Sequence, residues 1–319
     1  MGLRSVIKGV GGYLPQNVVT NADLEKRVDT SDEWVFQRTG IKQRHIAAEN
    51  ETTSMMATKA ALDALSHAKM DINQIDAIIV ATTTPDRTFP ATAVHVQAAL
   101  GMAHGFAFDV QAVCSGFVYA LSVADGMIRS GQVKNILVLG AEKMSSILDW
   151  DDRTTCVLFA DGAGGVILSG EESDGGILST HLHSNGEFKD MLYTDGGAST
   201  TASTGVIKMQ GRDVFKYAVT YLAEVVDEVL THHNLQPEAL DWLVPHQANI
   251  RIIEATAKKL EMSMDKVVTT VQDHGNTSAA SIPLALNTAV KDGRIKRGDL
   301  ILTEAMGGGF TWGAALIRY

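Results

Sequence analysis

The chain has 319 residues, of which 45% are hydrophobic and 20% charged, and its formal net charge is -10. Such a composition gives a globular protein of one large domain or two fused halves, with no disordered segment. The acidic balance excludes nucleic acid as the main partner, because phosphate binding needs a basic face, and no apolar run approaches the ~18 residues that span a bilayer, so neither a membrane nor secretion is expected.

In chain order, residues 5–10 read as a strand. The glycines that follow, Gly9-Val-Gly-Gly12, lack the spacing of a dinucleotide fingerprint, and Tyr13-Leu-Pro15 stands where a phosphate-binding helix would begin, so that reading is rejected. Thr20-Asn-Ala-Asp and Thr30-Ser-Asp-Glu33 carry helix-start patterns, and the second leads into a segment on which Trp34 and Arg38 share a face. Between Thr52 and Lys69 the apolar positions Met56, Ala60, Ala61, Ala64 and Leu65 mark an amphipathic helix, followed by a strand at 77–81. Residues 105–110 read as a short buried strand, and Phe117, Ala120, Leu121, Ala124, Met127 and Ile128 then recur at helical spacing. Cys114 therefore stands where a strand turns into a helix. Unpaired N–H groups and the positive end of the helix dipole favour thiolate there, which is the setting of a nucleophile.

Residues 155–169 read as two apolar strands around Asp161-Gly162, with Cys156, the second of only two cysteines, in the core of the first. With no disulfide framework, a reducing compartment, the cytoplasm, is expected. Residues 171–204 read as edge strand and surface loop, and His181 and His183 lack the further ligands a metal site needs. Residues 65–80 align without a gap on 230–245, an offset of 165. Gly131-Gln-Val-Lys134 and its strand match Gly293-Arg-Ile-Lys296 and the strand at 299–303 at an offset close to 162, which sets Cys114 opposite Asn276. A repeat of half the chain implies a duplicated α/β unit with halves at 1–170 and 171–319.

Three further stretches place polar residues or glycines just beyond apolar strands: His246 after 242–245, Asn276 in His274-Gly-Asn276, and Gly307-Gly308-Gly309. Ligands of α/β proteins gather beyond the carboxyl ends of strands, so these loops and that of Cys114 are expected to converge. Three successive glycines imply a backbone that approaches a ligand closely or offers it N–H groups. Cys, His and Asn together suit thioester chemistry. The thiolate attacks a thioester carbonyl, the N–H groups of Cys114 and Gly308 hold the oxyanion, and His246 and Asn276 donate to a second thioester oxygen. The latter pair stabilises the enolate left when a malonyl group loses carbon dioxide, without a metal. A hydrolase would need a base to activate water, and Asn276 supplies none.

The motifs Ala112-Val-Cys114-Ser-Gly, Pro245-His246-Gln-Ala-Asn249, Gly275-Asn276-Thr-Ser and Gly307-Gly-Gly-Phe-Thr-Trp-Gly313 closely resemble the ketoacyl-acyl-carrier-protein synthase III family, which starts bacterial fatty-acid synthesis. Phe159-Ala-Asp-Gly-Ala-Gly164 and Val28-Asp-Thr-Ser-Asp-Glu-Trp34 extend the resemblance over essentially the whole chain. It implies the α/β thiolase fold, two similar halves in an αβαβα sandwich. It makes Cys114 the acyl acceptor, His246 and Asn276 the decarboxylation pair and Gly308 an oxyanion donor. The implied coenzyme A tunnel takes Thr30, Trp34, Arg38, Arg153, Phe215, Ala248 and Asn249, with Trp34 and Arg153 sandwiching the adenine. The acyl pocket takes Phe159, Met306 and, from the other subunit of a homodimer, Phe89. Met306 stands where many members carry Phe, which softens the wall.

The reaction so implied moves acetyl from acetyl-coenzyme A onto Cys114 and joins it to malonyl-acyl carrier protein, with no permanently bound cofactor and no metal. The acidic carrier would dock on Arg212, Lys216, Arg251, Lys258 and Lys259, the last three sharing one side of the helix after His246. A relative of the same fold with a branched or longer primer, or serving specialised metabolism, is the alternative. A non-catalytic acyl-coenzyme A binding module would keep the tunnel but not all three catalytic residue types. A degradative thiolase would need a second active-site cysteine near the C-terminus.

Overall fold

The computed structural model describes residues 2–319. In chain order its elements are β1 (Gly2–Tyr13), β2 (Asn17–Thr20), α1 (Asn21–Leu24), α2 (Asp32–Thr39), β3 (Gln43–Ile46), α3 (Thr53–Ala68), β4 (Ala77–Ala81), α4 (Thr92–Ala99), β5 (Phe106–Val110), α5 (Gly116–Arg129), β6 (Asn135–Lys143) and β7 (Asp161–Ser173). There follow β8 (Gly176–Ser184), β9 (Leu192–Thr194), β10 (Ile207–Met209), α6 (Gly211–His232), β11 (Trp242–Pro245), α7 (Ile250–Lys259), α8 (Val271–His274), α9 (Ser281–Lys291), β12 (Leu300–Gly307) and β13 (Thr311–Arg318).

Helix starts follow the capping chemistry in the sequence. Thr20 and Asp23 form a reciprocal capping box, and the hydroxyls of Ser31 and Thr52 accept the N–H groups of Trp34 and Met55. The buried face of α3 is mostly alanine, so the helix lies close on β1. A Cβ at Gly11 would stand 2.2 Å from the Ala60 carbonyl oxygen, and one at Gly9 2.6 Å from that of Ala64. These glycines thus serve helix-on-sheet packing and not a phosphate loop.

One sheet has the order β1-β7-β6-β4-β5 and the other β11-β12-β13-β8. Helices α5 and α9 lie between them. Phe117 and Leu121 of α5 and Ile282 and Leu286 of α9 share a core with Val138 and Val166 of the first sheet and Val244 and Ile301 of the second. Outside the first sheet α3 packs Met56 and Ala60 on Ile78 and Leu139, and outside the second α6 and α7 pack Val225 and Ile253 on Leu243 and Leu302. The result is the five-layered αβαβα sandwich. No helix among the described residues is long and apolar enough to cross a membrane.

The duplication is visible in detail, with one correction. Ala77 pairs with Ile136 in the first sheet as Trp242 pairs with Ile301 in the second. The Asp76 carboxylate accepts the Asn135 N–H at 2.8 Å, and that of Asp241 accepts the Leu300 N–H at 2.7 Å. The strands therefore keep the offset of 165. Helix α9 has 11 residues against 14 in α5, so the offset drops to 162 only in the following turn, and residues 297–299 restore it. Val113 and Ser278, both left-handed at φ 49° and 51°, are equivalent, which puts Ala279 and not Asn276 opposite Cys114.

Other expectations also change. β5 is the open edge of its sheet, with Phe106 exposed, and not a buried strand. Residues 155–158 form turns, because the Asp152 carbonyl accepts the N–H groups of Thr155 and Cys156 at 3.2 and 3.0 Å; Phe159 makes a single parallel bridge to Asn276, and β7 is one strand starting at Asp161. Cys156 is nonetheless fully buried. Asn276 follows the short helix α8 and not a strand.

Gly140 is where β6 meets the 3₁₀ turn Ser278–Ala280, and a Cβ there would stand 2.2 Å from the Ala279 carbonyl oxygen. Gly140→Ala is expected to cost ~1–3 kcal/mol through overpacking. Gly126→Ala, on the exposed side of α5 with nothing within 4 Å of the new Cβ, should instead gain ~0.5–1 kcal/mol. Urea unfolding midpoints check both, and equal midpoints for the two variants would contradict the packing argument.

Candidate active site

Cys114 lies in the 3₁₀ turn Val113–Ser115 that leads into α5. The hydroxyls of Ser115 and Thr311 both donate to the Ala112 carbonyl, at 2.7 and 3.0 Å, and tie the turn to β13. Val113 is held at φ 49°, a costly conformation for a β-branched residue. The end of β12 presses on the same turn, since a Cβ at Gly307 would stand 2.6 Å from the Cys114 nitrogen. The glycines therefore allow main chain to lie on main chain at the cysteine.

Cys114 borders two cavities. One, of about 110 Å³, is also lined by His246, Asn276, Phe215, Ala248, Asn249 and Met306. The other, of about 340 Å³, adjoins Gly308, Thr83, Ile147 and Leu192. Phe159 borders both. The loops thus converge on the cysteine. Met306 belongs to the narrow cavity and not to the one beside Gly308. Strand alternation turns it to the side of Leu302, toward α6 and α7.

Burial pushes the Cys114 thiol up to about 12, the nearby Glu142 charge adds to this, and a hydrogen bond with Ser278 offsets part of it. The expected resting thiolate is therefore corrected to a thiol, because burial outweighs the ~0.3–2 kcal/mol that a helix terminus supplies. Burial likewise lowers His246 to about 3, so its imidazole is neutral. Nδ1 lies 2.5 Å from the Ser281 hydroxyl oxygen, which accepts the Gln247 N–H at 3.2 Å. We assign the ring proton to Nε2, the tautomer in which the Ser281 hydroxyl donates to Nδ1. The Asn276 Oδ1 accepts the Ser278 N–H at 2.9 Å, which leaves the amide NH₂ as a donor. Cys114 is thus accompanied by two neutral donors.

Four supporting residues escaped the sequence reading. Ser278 closes the Asn276 motif without having been given a role and Ser281 lies three residues on, where hydroxyls beside a helix start were the available signal. Glu142 and Glu304 are single carboxyls inside apolar strands, and burial pushes them up to about 7 and about 8. The Glu304 carbonyl accepts the His246 N–H at 2.8 Å, while its carboxyl Oε2 has no hydrogen-bond partner.

Trp34 carries the guanidinium of Arg38 at 4.7 Å from the ring centroid and that of Arg153 at 5.2 Å on α2 and its neighbouring loop. An intercalated base needs ~7 Å, two stacking contacts, so Arg153 occupies the place the sequence reading gave to adenine. Its Nη1 donates to the Asp29 carbonyl at 2.5 Å. The Thr30 hydroxyl is buried without a partner. Leu158 connects this group to the narrow cavity, packing near Trp34 and lining the cavity beside Cys114. Phe89 lines neither cavity of its own chain and is 81% exposed.

The basic residues divide. Arg251 lies 5.4 Å from the Phe215 ring, so α7 starts beside the Arg212 and Lys216 end of α6. Lys258 and Lys259 lie in the last turn of α7, and Lys259 shares a groove with Asp227, Glu238 and Glu261. His181 and His183 both bond the Glu228 carboxylate, at 2.8 and 2.6 Å.

A buried cysteine at a helix start, paired with neutral histidine and asparagine donors inside a duplicated αβαβα sandwich, defines a thiolase-fold acyl-transferring enzyme. Family models described as 3-oxoacyl-[acyl-carrier-protein] synthase III and its C-terminal part match residues 108–186 and 230–319. A beta-ketoacyl-[acyl-carrier-protein] synthase III of Rhodospirillum centenum is 62% identical and one of Paramagnetospirillum magneticum 63% identical, each over 323 aligned positions and the whole of both chains. The crystal structure of the 3-oxoacyl-[acyl-carrier-protein] synthase III of Aquifex aeolicus superposes with a TM-score of 0.94 at 52% identity, covering both chains completely. The chain belongs to the beta-ketoacyl-[acyl-carrier-protein] synthase III family and is a condensing acyltransferase of fatty-acid synthesis.

Because Glu304 stays protonated in the fold up to about 8, while an unfolded glutamate ionises near ~4.3, its contribution to stability is full below the lower value and lost as pH climbs through the upper one. Thermal melts between about pH 5 and about pH 9 should show Glu304→Gln gaining on the wild type as pH rises. Parallel curves would mean that Glu304 does not titrate in that window.

Proposed function

We propose that Cys114 accepts acetyl from acetyl-coenzyme A and passes it to malonyl-acyl carrier protein, giving acetoacetyl-acyl carrier protein, carbon dioxide and coenzyme A. One observation carries this reading: the His246 ring and the Asn276 amide, both neutral donors, line the same buried cavity as the thiol. The duplicated halves divide the work, residues 1–170 supplying the nucleophile and 171–319 the two donors.

In the first half-reaction the sulfur attacks the acetyl carbonyl, and the developing oxyanion is received by the N–H groups of Cys114 and Gly308. Coenzyme A leaves by the narrow cavity past Phe215, Ala248 and Asn249, with Thr30, Trp34, Arg38 and Arg153 at its outer end. Adenine stacking on Trp34 then requires Arg153 to swing off the ring. In the second half-reaction the malonyl thioester oxygen takes hydrogen bonds from His246 Nε2 and the Asn276 amide. Loss of carbon dioxide leaves an enolate whose carbon attacks the acetyl group on Cys114; the acetyl carbon–sulfur bond breaks, and the released sulfur takes a proton from solvent to restore the thiol.

A cytoplasmic homodimer fits the surface. β5 is an unpaired edge with Phe106 exposed, and a two-fold axis there pairs the edge with its own copy. Phe89 is then available to close the acyl pocket of the second protomer, limiting the primer to a short straight chain. The acidic carrier protein docks at Arg212, Lys216 and Arg251, whereas the acids around Lys259 keep the far end of α7 out of that surface.

Cys114→Ala should abolish acetylation, read by intact-protein mass spectrometry with acetyl-coenzyme A. His246→Ala and Asn276→Ala should leave acetylation intact while slowing condensation by ~10²–10³, the size of a lost transition-state donor. An equal loss in both half-reactions would make His246 a thiol-activating base instead. Reversing Arg251 and Lys216 to Glu together should raise the Michaelis constant for malonyl-acyl carrier protein about tenfold, as two rim charges allow. Acetylation should not change. Wild-type condensation should weaken with salt as the Debye length falls from ~10 Å at 0.1 M to ~3 Å at 1 M. Unchanged carrier kinetics at low salt would move the docking surface elsewhere.

A further inference from the structure

Cys114 starts as a thiol, so its proton needs an acceptor before the new carbon–sulfur bond is complete. Neither donor beside it serves. Burial lowers His246 to about 3, too weak a base to hold a thiol's proton, and Asn276 has no basic atom. On its other side the turn of Cys114 packs against the turn Ser278–Ala280, whose Ser278 hydroxyl eases the thiol's ionisation. The same hydroxyl lies 3.1 Å from Oε1 of Glu142.

Glu142 is wholly buried on the face of β6 turned to the central helices, two residues beyond Gly140, where the absence of a side chain lets the Ser278 turn sit against the strand. Its other oxygen accepts the Thr84 hydroxyl at 2.7 Å and the Thr82 hydroxyl at 3.3 Å, and the N–H groups of Thr83 and Thr84 each at 3.1 Å. The carboxyl is thus surrounded by donors alone and has no cation beside it. Lys143, the next residue, points away and donates to the carbonyls of Ala48, Glu49 and Glu51. Asp161, facing Lys143 across the strands, is engaged with Ser145 and the Ala47 N–H. Of the other titratable groups in this layer, Cys114 is the one whose titration is coupled to Glu142, while Asp125 of α5 bonds the Ser5 hydroxyl and His246 bonds that of Ser281. Ser278 is also held at φ 51°, a left-handed conformation that a non-glycine residue adopts at some cost and that recurs at functional sites.

We propose that Glu142 receives the Cys114 proton through the Ser278 hydroxyl during acylation, which makes it a positioning and proton-storing residue that never touches the substrate. As sulfur attacks the acyl carbon, its proton passes to Ser278 Oγ while the serine's own hydrogen passes to Glu142 Oε1. When the tetrahedral intermediate collapses, the bond from the acyl carbon to the coenzyme A sulfur breaks. The proton returns along the same path to that sulfur, so the thiol lost by Cys114 reappears on coenzyme A and the carboxylate is restored. No oxidant or co-reactant is consumed. Burial pushes Glu142 up to about 7, so it accepts a proton only above that pH and is filled below it. This inference rests on Cys114 being the acyl acceptor.

Rapid-quench mass spectrometry of Cys114 acetylation between about pH 5.5 and about pH 8.5 tests it, on wild type, Glu142→Gln and Ser278→Ala, with thermal melts to confirm folding. The wild-type rate should rise through about pH 7 and then level off. Both variants should lose that inflection and acetylate ~10²-fold more slowly, the usual size of a lost acid–base group, while malonyl decarboxylation stays within about threefold of wild type. Folded variants that keep the wild-type rate and pH profile would overturn the relay and leave Glu142 a structural carboxyl. If Glu142→Gln does not fold, Ser278→Ala decides alone, since it breaks the path without disturbing the threonine cage. A wild type that acetylates elsewhere than Cys114 would instead remove the acyl-acceptor assignment on which the relay stands.

Discussion

Main chain laid directly on main chain is the constraint from which the site follows. Gly140 lets the Ser278 turn sit on β6, Gly164 lets the start of α9 sit on β7, where a Cβ would stand 2.7 Å from the Leu284 nitrogen, and Gly307 lets β12 end on the cysteine turn. Remove any of these close approaches and the groups they set, the thiol, the Ser278 hydroxyl, the Asn276 amide and the Glu142 carboxyl, move apart by the thickness of a side chain. Packing of this kind tolerates little error, since an interior near crystalline density has no slack to absorb an added methyl. The left-handed backbones at Val113 and Ser278 are the local cost of the same arrangement.

Desolvation then sets the chemistry. Cys114, His246, Glu142 and Glu304 are all buried, and each is pushed toward its uncharged form. The resting site is therefore a set of neutral donors around a thiol, with charge appearing only as bonds change. Such a site favours an enolate or oxyanion over bulk water as the place for new negative charge, because its donors are already oriented and there is little solvent to reorganise.

Much of this was legible in the sequence. Cys114, His246 and the three glycines announced themselves as interruptions at the ends of apolar runs, and the offset of 165 disclosed the duplication. What escaped has physical reasons. An apolar run reports burial and not backbone shape, so residues 155–158 passed for a strand although the Asp152 carbonyl winds them into turns. The helix dipole was visible at Cys114, but the competing desolvation depends on layers of chain far away in sequence. Helical spacing put Lys258 and Lys259 on the side of Arg251 without revealing the acids that join Lys259 from α6 and the loop after it. Glu142 was readable as a lone acid among aliphatics, yet its partners come from residues 82–84 and 278, and nothing local connects them.

The equivalence of Val113 and Ser278 has a consequence for the economy of the molecule. The two halves retain the same kinked entry into a central helix, and the kinks face each other across the middle layer, but only one of them presents sulfur. At the matching place the other offers Ala279, flanked by a hydroxyl and followed by Ser281. Duplication here has not produced two workshops. One copy of the kink became the bench on which a single acyl group rests, and its twin became the vice that holds the surrounding tools, so symmetry in the backbone is spent on making the chemistry one-sided.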